Sequence, residues 1–197
     1  MQNLNRGCTH EDFISAMKLL ENSSLDVCVH TILGLPGETR EMIVKYGDEI
    51  NKFEKINFVK FHHLHIVKGS IMGVKYKREP FPLFTLEEYT DILCKILPKL
   101  RPDIVIQRLF ALSDVEMLIA PKWGLKKSQI QNFIDAEIEK RGVIQGSEYS
   151  KKEAKQQLAL LHAQLNPHFL YNTLDSISWM SQNGNADKVP YIINALS

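Results

Sequence analysis

The sequence predicts an α/β protein with a parallel sheet, followed by an α-helical hairpin. Short apolar strands alternate with amphipathic helices through residues 1–146, as they do in βαβ units whose strands run parallel. Residues 147–197 show helical patterns and no strand pattern. The change at Gly146 predicts two domains, 1–146 and 147–197.

The first domain has a local signal for each of its elements. Thr9 and Asp12 have the spacing of an N-terminal capping box, as do Thr85 and Glu88, and Gly142 suits a helix end. In chain order we predict a helix after Thr9, a strand over 27–33 covered on both faces, one helix from about Thr39, an extended stretch over 57–67, a helix after Thr85, a strand over 103–109 and a helix over 128–141.

The second domain has apolar residues at helical spacing, namely Leu158, Leu161, Leu165 and Phe169. The pattern breaks at residues 183–185, and a second, short helix begins near Ala186. Such a hairpin cannot bury its apolar stripe by itself. We therefore expect it either to pack on the first domain or to form a homodimer through these helices.

Composition narrows the class of protein. The chain has 197 residues, 44% of them hydrophobic, and a formal net charge of +1, which indicates neither nucleic-acid binding nor an anionic membrane surface. No apolar run is long enough for a membrane span, and the first residues are no signal peptide. Three widely separated cysteines favour a reducing cytoplasm over a disulfide framework.

A histidine follows a proline inside the long helical pattern of the second domain. Pro167 bends a helix, and Gln164, His168, Asn172 and Asp175 share one polar stripe. An exposed imidazole titrates near neutral pH and can act as a nucleophile. Asn172 could then bind a phosphoryl group and Asp175 accept a proton. The alternative is a solvated helix face with an unused histidine.

The run Gln164-Leu-Asn-Pro-His168-Phe-Leu-Tyr-Asn172-Thr-Leu resembles the phosphoacceptor segment of LytS/YehU-type sensor histidine kinases. The resemblance implies a dimeric helical bundle in which His168 receives the γ-phosphoryl group of ATP and Asn172 handles phosphate. It also implies a two-component response regulator as partner. The family's ATP-binding domain would follow Ser197, so we expect phosphorylation in trans by a kinase domain outside this chain.

A glycine-rich turn connects the strand at 27–33 to the next helix. The turn includes Gly34, Gly37 and Glu38, and Ile32 precedes it. Ligands of α/β folds bind at this carboxyl edge of the sheet, and the helix N-terminus favours an anion or a polar edge. The alternative is a tight turn without a ligand.

Five short sequence motifs follow one another along the first domain: Asn5-Arg-Gly7, Leu33-Gly-Leu-Pro-Gly-Glu38, His63-Leu-His-Ile-Val-Lys-Gly69, Val105-Ile-Gln-Arg-Leu109 and Ala120-Pro-Lys-Trp-Gly-Leu125. This series is similar to the C-terminal half of radical S-adenosylmethionine proteins of the YhcC-like group, although Cys8 stands where that group has histidine. The resemblance implies a partial, half TIM-type barrel. It places Ile32, Gly34, Gly37 and Glu38 against the adenine of S-adenosylmethionine.

The same resemblance implies an iron–sulfur cluster, a 4Fe–4S group held by a Cys-x₃-Cys-x₂-Cys motif. This sequence contains no such motif. We therefore expect no autonomous radical or kinase activity, and no complete cofactor site in this chain. S-Adenosylmethionine and the cluster are implied through the parent family, and ATP through a further domain.

Other basic residues are candidates for ligands of two kinds. Lys68 and Arg108 could bind an anion or a substrate at the sheet edge. Alternatively, Lys68 is a solvated loop cation and Arg108 is a paired strand residue. His63 and His65 share a strand face, with His62 on the other. Two histidines are too few for a typical metal site, so we predict no metal.

Three hypotheses follow from the sequence. The chain is a phosphoacceptor module carried by an α/β segment, or a remnant domain that binds S-adenosylmethionine or another nucleoside-like ligand without cleaving it. The third hypothesis is a folded but inactive fusion.

Overall fold

The computed structural model describes residues 7–149. The predicted helical hairpin lies outside the described residues. The elements are α1 His10–Leu20, β1 Val27–Leu33, α2 Arg40–Val44, α3 Tyr46–Asn51, β2 Ile56–His63, β3 Ile66–Val67, α4 Ile71–Arg78, α5 Leu86–Ile96, a 3₁₀ turn Leu97–Lys99, β4 Val105–Arg108, β5 Leu118–Ala120 and α6 Lys127–Lys140.

The main sheet has three parallel strands in the order β1-β2-β4. Its central strand β2 alternates buried and partly exposed residues, as a strand covered on one face does. The predicted parallel sheet with helices is thus confirmed. A second sheet pairs β3 with β5 in antiparallel fashion. This pairing was not predicted, because the partners of β3 lie about fifty residues further along the chain. Helix α4 was not predicted either.

Helices cover one face of the main sheet with a continuous apolar core. Val59 and Phe61 of β2 are fully buried there, together with Leu33 at the end of β1. The capping box of Thr85 and Glu88 starts α5 as predicted, and the helix directs its apolar stripe at this face. The buried residues of α5 are Leu86, Tyr89, Thr90, Ile92, Leu93, Cys94 and Ile96.

Two predictions about the early elements are wrong. Strand β1 is not covered on both faces, because His30 and Ile32 are exposed on the face opposite the helices, and Ile32 is 45% exposed. The helix expected from Thr39 is two short helices that meet at Lys45. Gly47 follows the break, and a Cβ there would meet the Ile96 carbonyl at 3.1 Å, so a larger residue would push α3 away from its neighbour.

A buried arginine fixes the start of β2. Arg101 is 7% exposed and donates hydrogen bonds to the carbonyls of Phe53, Glu54 and Ile56, while Asp103 accepts one from its Nε. Its charge is acceptable in the interior because each side of the guanidinium finds an oxygen. Further along, backbone N–H groups of Gly146 and Glu148 bond to Leu97 and Pro98.

Candidate functional site

The glycine-rich turn after β1 is closed by its own glutamate. The Glu38 carboxylate accepts hydrogen bonds from the backbone N–H groups of Gly34 at 3.1 Å and Leu35 at 2.9 Å. It also accepts one from the Tyr46 hydroxyl, whose pKa is raised by burial and by this carboxylate. Both Gly34 and Gly37 have positive φ, which glycine adopts without strain.

An aromatic ring packs directly on this turn. A Cβ built at Gly34 would lie 2.7 Å from the Phe84 ring, so a side chain there would collide with it. The Arg40 guanidinium lies 5.9 Å from the centre of the Phe84 ring and pairs with Glu88. The anion predicted at this turn would therefore find the amides of Gly34 and Leu35 already bonded. The nucleoside contact remains a prediction, and Ile32 and Gly37 are its exposed residues.

The face of the sheet opposite the helices carries polar and basic side chains. Ile32 stands beside His62 in the β1–β2 register, and His30 stands beside Lys60. On the other side of β2, Lys60 pairs in register with Arg108 at the carboxyl end of β4. We call His30, Lys60, His62 and Arg108 the basic cluster. Of its members, Arg108 was predicted from the sequence as an anion ligand.

The charged groups that surround His62 in the basic cluster are all basic. The rings of His30 and His62 stack with their centres 5.5 Å apart. Partial burial lowers the pKa of His62, and the nearby His30, Arg108, His65 and Lys60 lower it further. The Nε2 atom of His62 is buried and has no hydrogen-bond partner among the described residues.

The structure does not bring Lys68 into the basic cluster. Lys68 follows β3 in the second sheet, where its backbone N–H donates to the Met117 carbonyl. Its side chain is exposed. The two cations predicted to bind an anion therefore belong to different sheets. Lys60, the register partner of Arg108, was missed, although its place between Val59 and Phe61 could have identified the polar face of β2.

A second histidine cluster lies on the covered face. The Nε2 atoms of His63 and His65 are 2.7 Å apart, so one imidazole donates and the other accepts. The His63 ring stacks on Trp123 at 3.9 Å between centres, and its edge meets Tyr89. Burial lowers the pKa of His63 to about 3, with His65 and His62 adding to the effect, and burial also lowers the pKa of His65.

The cysteines do not form a site for an iron–sulfur cluster. Cys8 is exposed, Cys28 lies in β1 and Cys94 is buried on α5, where burial raises the pKa of its thiol. Within residues 7–149, no group of three or more histidine, cysteine or acidic side chains could hold a metal ion. The described residues therefore do not fit the iron–sulfur cluster that the resemblance to radical S-adenosylmethionine proteins implies. His168 and Asn172 lie outside the described residues.

Two different protein families match separate parts of this chain. Residues 56–140 match the Radical_SAM C-terminal domain family, and residues 156–197 match the histidine kinase family. Both resemblances seen in the sequence, to radical SAM proteins and to sensor histidine kinases, are thus confirmed.

Particular relatives sharpen this assignment. Protein YhcC of Escherichia coli strain K12 is 30% identical over 75% of this chain and 47% of its own length. Sensor histidine kinase YesM of Bacillus subtilis is 32% identical over 34% of this chain and 10% of its own length. The structure of Methanocaldococcus infernus Elp3, with 25% identity, superposes with a TM-score of 0.63 and covers 72% of this chain and 33% of that one.

This chain spans about half the length of the curated relatives that its α/β part matches. Within the described part, every helix is too short or too polar to cross a membrane.

Proposed function

We propose that the α/β part is the later half of a radical SAM barrel and that its basic-cluster face contacts the adenosine of S-adenosylmethionine. The observation that carries this proposal is Ile32, an apolar side chain left 45% exposed at the carboxyl end of a parallel strand. Ligands of α/β folds bind outside the carboxyl ends of such strands. The parallel strand order and the likeness to Elp3 support the half-barrel.

The chemistry at this edge suits a nucleoside. Ile32 offers an apolar surface to a purine, and the neighbouring His62 offers a flat ring with an unsatisfied nitrogen. The backbone of the turn itself is held rigid by Glu38. Because the cysteines of residues 7–149 do not form a cluster site, the function proposed for this part is binding, and no cleavage step is assigned to it.

Calorimetric titration of the full chain with S-adenosylmethionine tests the proposal. We expect saturable binding that Ile32→Asn weakens about tenfold or more, because the substitution removes an apolar contact without adding charge. Leu19→Asn is the matched control, since Leu19 is 85% exposed on α1. Absence of binding, or equal affinity in the wild type and Ile32→Asn, would refute the adenosine contact.

The second segment has a function of its own under this proposal. Its family match and its likeness to YesM support His168 as a phosphoacceptor. In the transfer, an imidazole nitrogen attacks the γ-phosphorus of ATP, the bond to the β–γ bridging oxygen breaks, and ADP leaves. The ATP is bound by a kinase domain acting in trans. Asn172 is proposed to bind the phosphoryl oxygens, and a response regulator to receive the group.

Labelled ATP and the kinase domain of YesM test this transfer. We expect acid-labile label on the wild type, none on His168→Gln, and less on Asn172→Ala. His10→Gln is the matched control, because it removes an exposed histidine of α1. Label that survives in His168→Gln, or no label on the wild type, would contradict the phosphoacceptor.

A further inference from the structure

The basic cluster concentrates positive charge on three neighbouring strands. His30 of β1, Lys60 of β2 and Arg108 of β4 occupy one row across the sheet, because each pairs in register with the next. Adjacent strands lie about 4.8 Å apart, so the backbone positions of the three residues lie within about 10 Å of one another, and their long side chains can converge on one small anion. His62 lies two residues after Lys60 on the same face and stacks on His30.

No carboxylate neutralises this row within residues 7–149. The ion pairs of that region are formed by other basic residues: Arg40, Lys52, Lys95, Arg101, Lys140 and Arg141. Neither Lys60 nor Arg108 has an ion pair or a side-chain hydrogen bond there, and Arg108 is exposed. The charged groups that act on His62 are likewise basic. Such unpaired cations on a face with an unsatisfied imidazole nitrogen favour an anionic ligand.

We propose that the basic cluster is a binding site for a small phosphorylated ligand, a phosphate ester or a pyrophosphate. Arginine binds two phosphate oxygens at once through its planar guanidinium, and lysine adds a point charge. The imidazole of His30, within the row, and that of His62, beside the row next to Ile32, contribute further N–H donors. The site shares its sheet face and His62 with the proposed adenosine contact. Its two cations, Lys60 and Arg108, have no part in that contact, so the test of the anion site is made on them.

Pyrophosphate alone, titrated into the full chain by calorimetry at low ionic strength, tests the site. We expect saturable binding that Arg108→Gln and Lys60→Gln each weaken about tenfold or more. Lys18→Gln removes the same charge from the exposed face of α1 and should change the affinity less than about twofold. Undetectable binding by the wild type, or equal affinity in all four proteins, would overturn the proposal.

Two further measurements separate the alternatives. Thermal unfolding of each variant establishes that Lys60→Gln and Arg108→Gln fold, so that lost binding reports the site. A single-stranded RNA oligonucleotide serves as the competing probe. If it binds and pyrophosphate does not, the face is a nucleic-acid surface and the small-ligand site is wrong. Ile32→Asn should keep its pyrophosphate affinity, so failure of the adenosine contact and failure of the anion site give different results.

Discussion

The two faces of the main sheet have opposite characters although the same strands form both. On the covered face, Leu33, Val59 and Phe61 are fully buried against the helices. On the other face, Ile32, Lys60 and Arg108 are partly or largely exposed. Strand alternation sends successive residues to opposite faces, so neighbouring positions can serve stability and binding separately. This difference explains how uncompensated cations are tolerated one residue away from the core.

The largest expected loss of unfolding free energy comes from a substitution on the covered face. Phe61→Ala should lower the free energy of unfolding by about 3–5 kcal/mol, because it removes a fully buried ring and leaves a cavity. Lys60→Ala, at the preceding position, should change it by about 0.5 kcal/mol or less. Urea unfolding followed by circular dichroism measures both. Similar losses in the two variants would mean that the faces do not differ as described.

The two glycines that follow β1 differ in whether a side chain added there would meet the packed interior. Gly34→Ala and Gly37→Ala both place a side chain at positive φ, which costs about 1–2 kcal/mol. Only Gly34→Ala also meets the Phe84 ring, whereas a Cβ at Gly37 has nothing within 4 Å. We expect Gly34→Ala to lose about 1–3 kcal/mol more than Gly37→Ala in the same unfolding experiment. Equal losses would show that the ring shifts freely.

The pH dependence of stability distinguishes two adjacent histidines on opposite faces. The pKa of His63 is about 3 in the fold and roughly 6.5 when unfolded, so the unfolded chain binds the proton first. The stability contributed by neutral His63 is fully present above about pH 6.5. It is lost as pH falls toward 3, with a slope of up to about 1.4 kcal/mol per pH unit.

Urea unfolding at several pH values measures this slope. His63→Phe keeps a ring against Trp123 but cannot take a proton, so the acid slope should flatten. His62→Gln, on the open face, should retain most of the slope. The comparison between the faces fails if His62→Gln removes as much of the slope as His63→Phe.

Local signals in the sequence predicted the elements whose causes are local. The capping boxes at Thr9 and Thr85 start α1 and α5, and Gly142, with φ of 59°, follows α6 as expected. Both depend on residues a few positions apart. The edge position of β1 and the pairing of Ile66 with Ala120 depend on distant partners, which hydrophobic periodicity does not record.

For the candidate sites too, features with a local cause were predicted from the sequence, and features that depend on distant partners were not. Arg108 was identified from its place at a strand end, and the positive φ of Gly34 agrees with the turn inferred there. The hydrogen bonds from the amides of the turn to the Glu38 carboxylate could not be predicted, because they depend on the Glu38 rotamer, which sequence spacing does not determine. Joining His30, Lys60 and Arg108 into one row needs the strand order and register, including the irregularity between Val59 and Lys60.

The stacking of Trp123 on His63 has an optical consequence. Trp123 also donates its indole N–H to the Phe84 carbonyl, so its ring is held in place beside the imidazole. A protonated imidazole quenches the fluorescence of an indole in contact with it. With Trp179, the chain's other tryptophan, replaced by phenylalanine, emission from Trp123 reports directly on the protonation and burial of His63. The protein thus contains its own fluorescent probe of the covered face.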